Sequence, residues 1–141
     1  MQLIYIMYKL IKKTYNFSIK LIITYKNRFF NFVLPNRLNL LNSRIVFSNF
    51  PVFNQITLCE GEGIVKIGNG CAFGYKLGGF HRNGSIELQA RYEEARINIG
   101  DNISTNNNIM ICAANYIEVG DDILIGQNVI IMDHEAHGIN P

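Results

Sequence analysis

The sequence predicts an all-β solenoid, a parallel β-helix of six-residue units over residues 51–141, preceded by a basic amphipathic helical segment and its lead-in over residues 1–50. Two observations predict the solenoid. Short aliphatic-Gly-polar phrases recur at Ile67-Gly68-Asn69-Gly70, Ile99-Gly100-Asp101-Asn102, Val119-Gly120-Asp121-Asp122 and Ile125-Gly126-Gln127-Asn128. Aliphatic residues also fall six apart at Val119, Ile125 and Ile131. A third observation, charge, predicts the division. Residues 1–50 carry eight basic side chains (Lys9, Lys12, Lys13, Lys20, Lys26, Arg28, Arg37 and Arg44) and no acidic one. The other five basic residues and all eleven acidic ones lie downstream, so the net charge of +2 conceals two halves of opposite sign.

Residues 3–33 mix Leu, Ile, Tyr and Phe with lysine. Leu3, Ile6, Leu10 and Tyr15 fall near helical spacing while Lys9, Lys12, Lys13 and Lys20 supply a cationic face, which predicts one basic amphipathic helix or two. Such a helix has two readings. It adsorbs to an anionic membrane surface, where each basic residue contributes roughly 1 kcal/mol, or it packs on its own domain or a neighbouring subunit. Its first apolar run meets Lys9 long before the roughly 20 residues of a membrane span, and no small-residue cleavage site follows, so neither a transmembrane helix nor a signal peptide is expected. Pro35 and Asn36 break the helical pattern. Residues 36–55 read as irregular chain, with Pro51 as a second break.

The six-residue period has a simple physical meaning. Each unit is one short strand and a tight corner. The aliphatic that opens it points into a narrow interior, and Gly or Asn at the corner tolerates left-handed backbone angles. Three units make a turn of about 18 residues, so that like residues stack coil on coil. Ile99 and Val119 are twenty apart, and the two-residue excess is expected as a small bulge near Asn115-Tyr116. Residues 74–96 break the rhythm with a Gly-rich turn followed by the alternating Ser85-Ile86-Glu87-Leu88-Gln89-Ala90, which predicts a coil with a loop insertion that could line a site.

Composition narrows the function classes. With 48% hydrophobic residues the chain can bury a core. Cys59, Cys71 and Cys112 form no C-x-x-C pair and are odd in number, which points away from a disulfide framework or a structural zinc and toward reduced thiols in a cytoplasmic protein. An acidic downstream half without a recognition motif speaks against nucleic acid as a partner.

The chemistry concentrates at the end of the repeat. In Met132-Asp133-His134-Glu135-Ala136-His137-Gly138 the pattern stops, and two of the three histidines stand beside two carboxylates. Imidazole can take a proton from a hydroxyl near neutral pH, so His137 and His134 are candidate general bases. The plain alternative is a polar loop without chemistry. Ser104 and Cys112 lie in the repeat with no G-x-S-x-G around them, so no covalent nucleophile is expected.

The run VGDDILIGQNVIIMDHEAHGINP closely resembles a segment of the hexapeptide-repeat sugar O-acetyltransferases, including those of capsule and lipopolysaccharide assembly, in which IG-x-N-V-x-I precedes a D-x-D-x-H-G-hydrophobic-D-P loop. The resemblance covers about residues 50–141. It implies a left-handed parallel β-helix, acetyl-coenzyme A as donor, a sugar or glycan hydroxyl as acceptor, a homotrimer with sites between subunits, no acyl-enzyme and no metal. The family's base falls on His137, with His134 as its competitor, and Asp133 and Glu135 stand on the acceptor side. The coil from Ile99 to Val119 resembles the one in galactoside and maltose acetyltransferases that bears an active-site Asn, which maps to Asn106, with Asn107 and Asn108 ranked below it. Relatives continue with further coils that supply most of the coenzyme groove, so the chain is expected to be truncated at its C-terminal end, and no coenzyme-binding residue is assigned. Location is expected in the cytoplasm, with peripheral contact at the inner membrane face through residues 1–33. Two other readings stand beside this one: a non-catalytic β-helix that acts as an interaction or scaffold module, and a metalloenzyme resembling the γ-class carbonic anhydrases through His81, His134 and His137, whose spacing does not match that family.

Overall fold

The computed structural model describes residues 2–135. A long helix, α1 (Gln2–Arg28), runs into a π-helical segment (Phe29–Val33) and a short helix, α2 (Arg37–Leu41). Strands follow in chain order: β1 (Ile45–Phe47), β2 (Val52–Phe53), β3 (Thr57–Glu60), β4 (Ile64–Ile67), β5 (Ala72–Phe73), β6 (Ile86–Ala90), β7 (Arg96–Ile99), β8 (Ser104–Thr105), β9 (Ile109–Ala113), β10 (Tyr116–Val119), β11 (Leu124–Ile125) and β12 (Ile130–Met132). Each strand pairs in parallel with the third one on. The result is three four-stranded sheets, β1-β4-β7-β10, β11-β8-β5-β2 and β12-β9-β6-β3. This arrangement is compatible with a parallel β-helix solenoid.

The register shows how the period builds the core. Ile45, Val65, Ile97 and Ile117 stand in one column and Cys59, Leu88 and Ile111 in another, all buried. Each fully buried Ile or Leu contributes roughly 1.5–3 kcal/mol. Corners carry the conformation expected of Gly and Asn: Gly70 (φ 69°), Asn102 (57°) and Asp122 (57°) are left-handed at one edge, Asn108 and Asn128 (both 59°) at the next. Asx side chains lace these corners vertically, Asn102 Nδ2 donating to Asp122 Oδ1 at 3.0 Å and Asn108 Nδ2 to Asn128 Oδ1 at 2.9 Å.

Ile45 pairs with Val65 and Ile97 with Ile117, twenty positions on in both cases, whereas Val65 pairs with Ile97, 32 on. The longer coil holds the expected insertion, between β5 and β6, and β6 shows the expected alternation of burial. The two-residue excess is a longer corner around Ala114 and Asn115, rather than a bulge: the ladders of β9 and β10 run unbroken on either side, with Tyr116 already paired to Arg96.

Residues 36–55 correct the sequence reading, because they hold α2, β1 and β2. These strands are two or three residues long and fill the interior with Pro51 and Phe53 in place of the aliphatic-Gly phrase, so the period is invisible there. Pro51 is tolerated because β2 is the edge of its sheet. Above that edge Phe32, fully buried, lies flat on Phe53 (3.9 Å between centroids, 4° between planes), and Phe53 on Phe73 (5.4 Å, 11°). Buried Asn36 donates to the carbonyls of Phe32 and Thr57 (both 2.7 Å) and accepts from Cys59 N–H (2.6 Å), and Asn39 donates to Cys59 O (2.6 Å). The π-helical segment and α2 thus plug the first coil and satisfy its exposed strand edge, which would otherwise template aggregation.

The rest of the N-terminal segment is different. Side chains of α1 from Tyr5 to Ile23 are exposed, its apolar ones included. Among the described residues the helix is fastened at its base, by Arg28 over the ring of Phe50 at 4.9 Å and by Asn31 just beyond, donating to Phe53 O at 3.0 Å. Among the described residues no helix is long and apolar enough to cross a membrane.

Candidate functional site

Register brings the end of β12 beside the long corner after β9. There the Asp133 carboxylate accepts three backbone N–H groups, from Ala114 (2.6 Å), Asn115 (2.7 Å) and Tyr116 (2.8 Å). His134 Nδ1 lies 2.9 Å from Asp133 Oδ1, and both side chains are largely shielded, each 15% exposed. Desolvation alone would raise the Asp133 pKa, but the amide donors and His134 outweigh it and hold the carboxyl well below the usual carboxylate range. An ionised carboxylate can only accept, so Nδ1 of His134 carries a proton, and in the neutral imidazole the lone pair is then on Nε2. That Nε2 is buried and has no hydrogen-bond partner among the described residues. A carboxylate so placed orients the ring and selects its neutral tautomer, which is what an imidazole needs to act as a general base. Glu135 is exposed beside it. His137 lies outside the described residues.

Asn106 and Asn108 occupy another edge, the corner between β8 and β9. The five residues of β9 separate this corner from the Asp133-His134 corner, roughly 13 Å of strand at about 3.3 Å per residue. The structure therefore groups Asp133, His134 and Glu135, groups Asn106 with Asn108, and does not bring the two sets together within one chain. Asn106 lines a cleft of about 400 Å³ with Gly74, Tyr75, Ser104, Thr105 and Leu124, and its Oδ1 accepts the Asn107 N–H at 2.9 Å. Asn108 commits its side chain to the Asn128 ladder.

Between them, Asn107 is fully buried and organises the inserted loop. It donates to Tyr75 O (2.8 Å) and Gly79 O (2.9 Å) and accepts from Tyr75 N–H (2.8 Å). Gln55, equally hidden, donates to Phe80 O (2.7 Å) and accepts from Asn108 N–H (3.0 Å). Gly78 packs closely here, since a Cβ there would sit 2.2 Å from Asn106 Oδ1 and that side chain would have to move. Sequence reasoning ranked Asn107 below Asn106 and did not single out Gln55. The available signal was an Asn between the inward positions Thr105 and Ile109, where the solenoid has no solvent to offer an amide.

His81 sits on the inserted loop beside Gln55, at the same side as Asn107, so it is not grouped with His134. Among the described residues no three His, Cys, Asp or Glu side chains are placed to hold a metal ion. All three cysteines are free and buried. Burial, reinforced by Glu60, pushes the Cys59 thiol up, and burial does the same to Cys71, with Asp101 adding to it against an opposing backbone hydrogen bond. Thiols so shifted are poor nucleophiles. The chain matches no family model, no curated protein and no solved structure.

Proposed function

We propose that the protein is an acetyl-coenzyme A-dependent O-acetyltransferase whose three sheets wind as a left-handed parallel β-helix, and that it modifies a sugar hydroxyl of a surface polysaccharide or its precursor. One observation carries the reading: just after β12 a carboxylate-oriented imidazole stands with its second nitrogen unpartnered among the described residues. In the reaction a histidine takes the proton of the acceptor hydroxyl as its oxygen attacks the thioester carbonyl. The new C–O bond forms, the C–S bond breaks, and coenzyme A leaves as a thiolate that recovers the proton from the imidazolium. No group on the protein is acylated, in keeping with the buried state of Cys112 and the absence of a serine elbow in the sequence.

Resemblance assigns the base to His137, whereas the geometry at Asp133 supports His134. The wide separation of Asn106 from the Asp133-His134 corner supports a homotrimer in which the Asn edge of one subunit meets the His edge of the next. The lysine-bearing face of α1 supports peripheral contact with an anionic membrane, where a lipid-borne acceptor would be met.

Release of free coenzyme A thiol from acetyl-coenzyme A over a panel of glycans tests the proposal. Replacing the base by Ala lowers turnover by about 10²- to 10⁴-fold with the fold unchanged. Loss in His137→Ala alone assigns the role there, and loss in His134→Ala alone moves it. Wild-type turnover in both removes the mechanism, and no acetylation of any glycan favours an interaction module over an enzyme.

A further inference from the structure

The inserted loop and the base of α1 line a second, open cavity of about 330 Å³, away from the Asp133-His134 corner. Its polar lining is cationic or amide in character: Lys76, His81 and Arg82 come from the loop, Asn27 and Asn31 from the helical segment and Asn54 from the turn after β2. No carboxylate lines it. Neither Lys76 nor Arg82 has an ion-pair or side-chain hydrogen-bond partner among the described residues. His81 Nδ1 is buried and equally without a partner. A buried polar nitrogen left unmatched costs about 1–3 kcal/mol, and the two exposed cations beside it leave positive charge open to an anion.

The walls are also held in place. Asn107 and Gln55 pin the loop backbone at Tyr75, Gly79, Phe80 and His81, which presents Lys76, His81 and Arg82 from a fixed frame. Preorganised donors of this kind bind anions without a large ordering cost. We propose that this cavity binds a phosphoryl group, with Arg82 and Lys76 neutralising its charge and His81 Nδ1 supplying a directed hydrogen bond. Arginine's fork and lysine's compact ammonium both take phosphoryl oxygens, and two cations offset the charge of a dianion where a carboxylate would need only one. The ligand is a phosphorylated small molecule such as a sugar phosphate, or the phosphate of a lipid-borne molecule that approaches alongside α1. The site is independent of acetyl transfer, and its failure would leave the proposed reaction untouched.

Imidazole nitrogen NMR of the full chain, with His81 assigned through His81→Phe, tests this at constant pH and ionic strength. The probes are inorganic phosphate, glucose 1-phosphate and acetate. A saturable shift of the His81 resonance is expected with the first two, and Lys76→Ala/Arg82→Ala should weaken it by at least about tenfold, the loss of one charged hydrogen bond. Both side chains are exposed, so this variant should keep the wild-type circular dichroism. A Lys9→Gln/Lys12→Gln/Lys13→Gln/Lys20→Gln background removes the cations of α1 and should leave the response intact. In that background, flotation with phosphatidic acid vesicles that depends on Lys76 and Arg82 assigns a lipid source, and its absence a soluble one. No saturable shift, equal affinity in the double variant, or equal binding of acetate overturns the proposal.

Discussion

His134 Nδ1 is 2.9 Å from Asp133 Oδ1, while the same carboxylate accepts the N–H groups of Ala114, Asn115 and Tyr116. Asp133 is therefore both a fastener of the last coil and an orienter of the imidazole. Replacing it by Ala strands three amides at a corner and should cost on the order of 2–3 kcal/mol, seen as a lower midpoint in urea unfolding. Asp133→Asn keeps one acceptor and should lose less. An unchanged midpoint in Asp133→Ala would show that water serves those amides equally well.

The same carboxylate gives the fold an acid limit. Its pKa is depressed in the folded state, so the unfolded chain binds the proton more readily, and stability rises with pH wherever the two states differ. The contribution is complete above the ordinary aspartate value near 4 and is lost as pH falls through the lower folded value. Unfolding midpoints should thus stay level at neutral pH and decline below about pH 4, with a shallower decline in Asp133→Asn. Parallel acid profiles for wild type and Asp133→Asn would refute the link.

Phe32 closes the other end of the interior. It is fully buried and stacked on Phe53, so Phe32→Ala should cost roughly 3–5 kcal/mol. Because the plug also hides the first strand edges, the variant should self-associate more readily as it unfolds, which light scattering during a thermal ramp would reveal. Phe32→Leu should retain most of the stability. A loss below about 1 kcal/mol in Phe32→Ala would mean that the first coil does not need its cover.

How much of this was legible beforehand differed from corner to corner. Asn102, Asp122 and Asn128 follow Gly-polar pairs in the sequence and are left-handed in the structure, because a corner of that shape favours residues that tolerate positive φ. Three parallel sheets follow from the same period. The first coil was illegible because Phe47 stands level with Ile67 and Pro51 with Cys71, while Ser48 takes the place of Gly68, so periodicity had nothing to register. Adjacency of Asp133 and His134 was plain in the sequence, yet the three amides lie 17 to 19 positions upstream and become visible only with the twenty-residue register. Asn107 was hidden by its neighbours: three consecutive Asn residues look alike until one is buried.

Asn107 makes a sharp prediction for the inserted loop. Its three hydrogen bonds to Tyr75 and Gly79 tie the first part of the loop to the strands, so Asn107→Ala should release the Tyr75 amide to hydrogen exchange by at least about tenfold, with smaller changes in the sheets. His81 phosphate binding should weaken alongside, although Lys76 and Arg82 are untouched. Retained protection at Tyr75 would show that the loop is held without Asn107.

α1 poses the question of what covers its apolar side. Lys9, Lys12, Lys13 and Lys20 fall on one arc of the helix, α1 holds no acidic residue, and Tyr8, Leu10, Ile11, Tyr15, Phe17, Leu21 and Ile22 are exposed around the remainder. A helix of that design lies flat in a lipid headgroup layer, where each lysine contributes roughly 1 kcal/mol at low salt. Flotation with phosphatidylglycerol vesicles should exceed that with phosphatidylcholine and should fade as salt shortens the screening length to about 10 Å at 0.1 M. The four-lysine glutamine variant should lose about three orders of magnitude in partitioning, and Ile11→Asp/Ile22→Asp should lose binding with the charges intact. If neither vesicle floats the protein, and ultracentrifugation shows instead an assembly that the Ile11→Asp/Ile22→Asp variant dissolves, the apolar side belongs to a second copy of the chain and the membrane role is wrong.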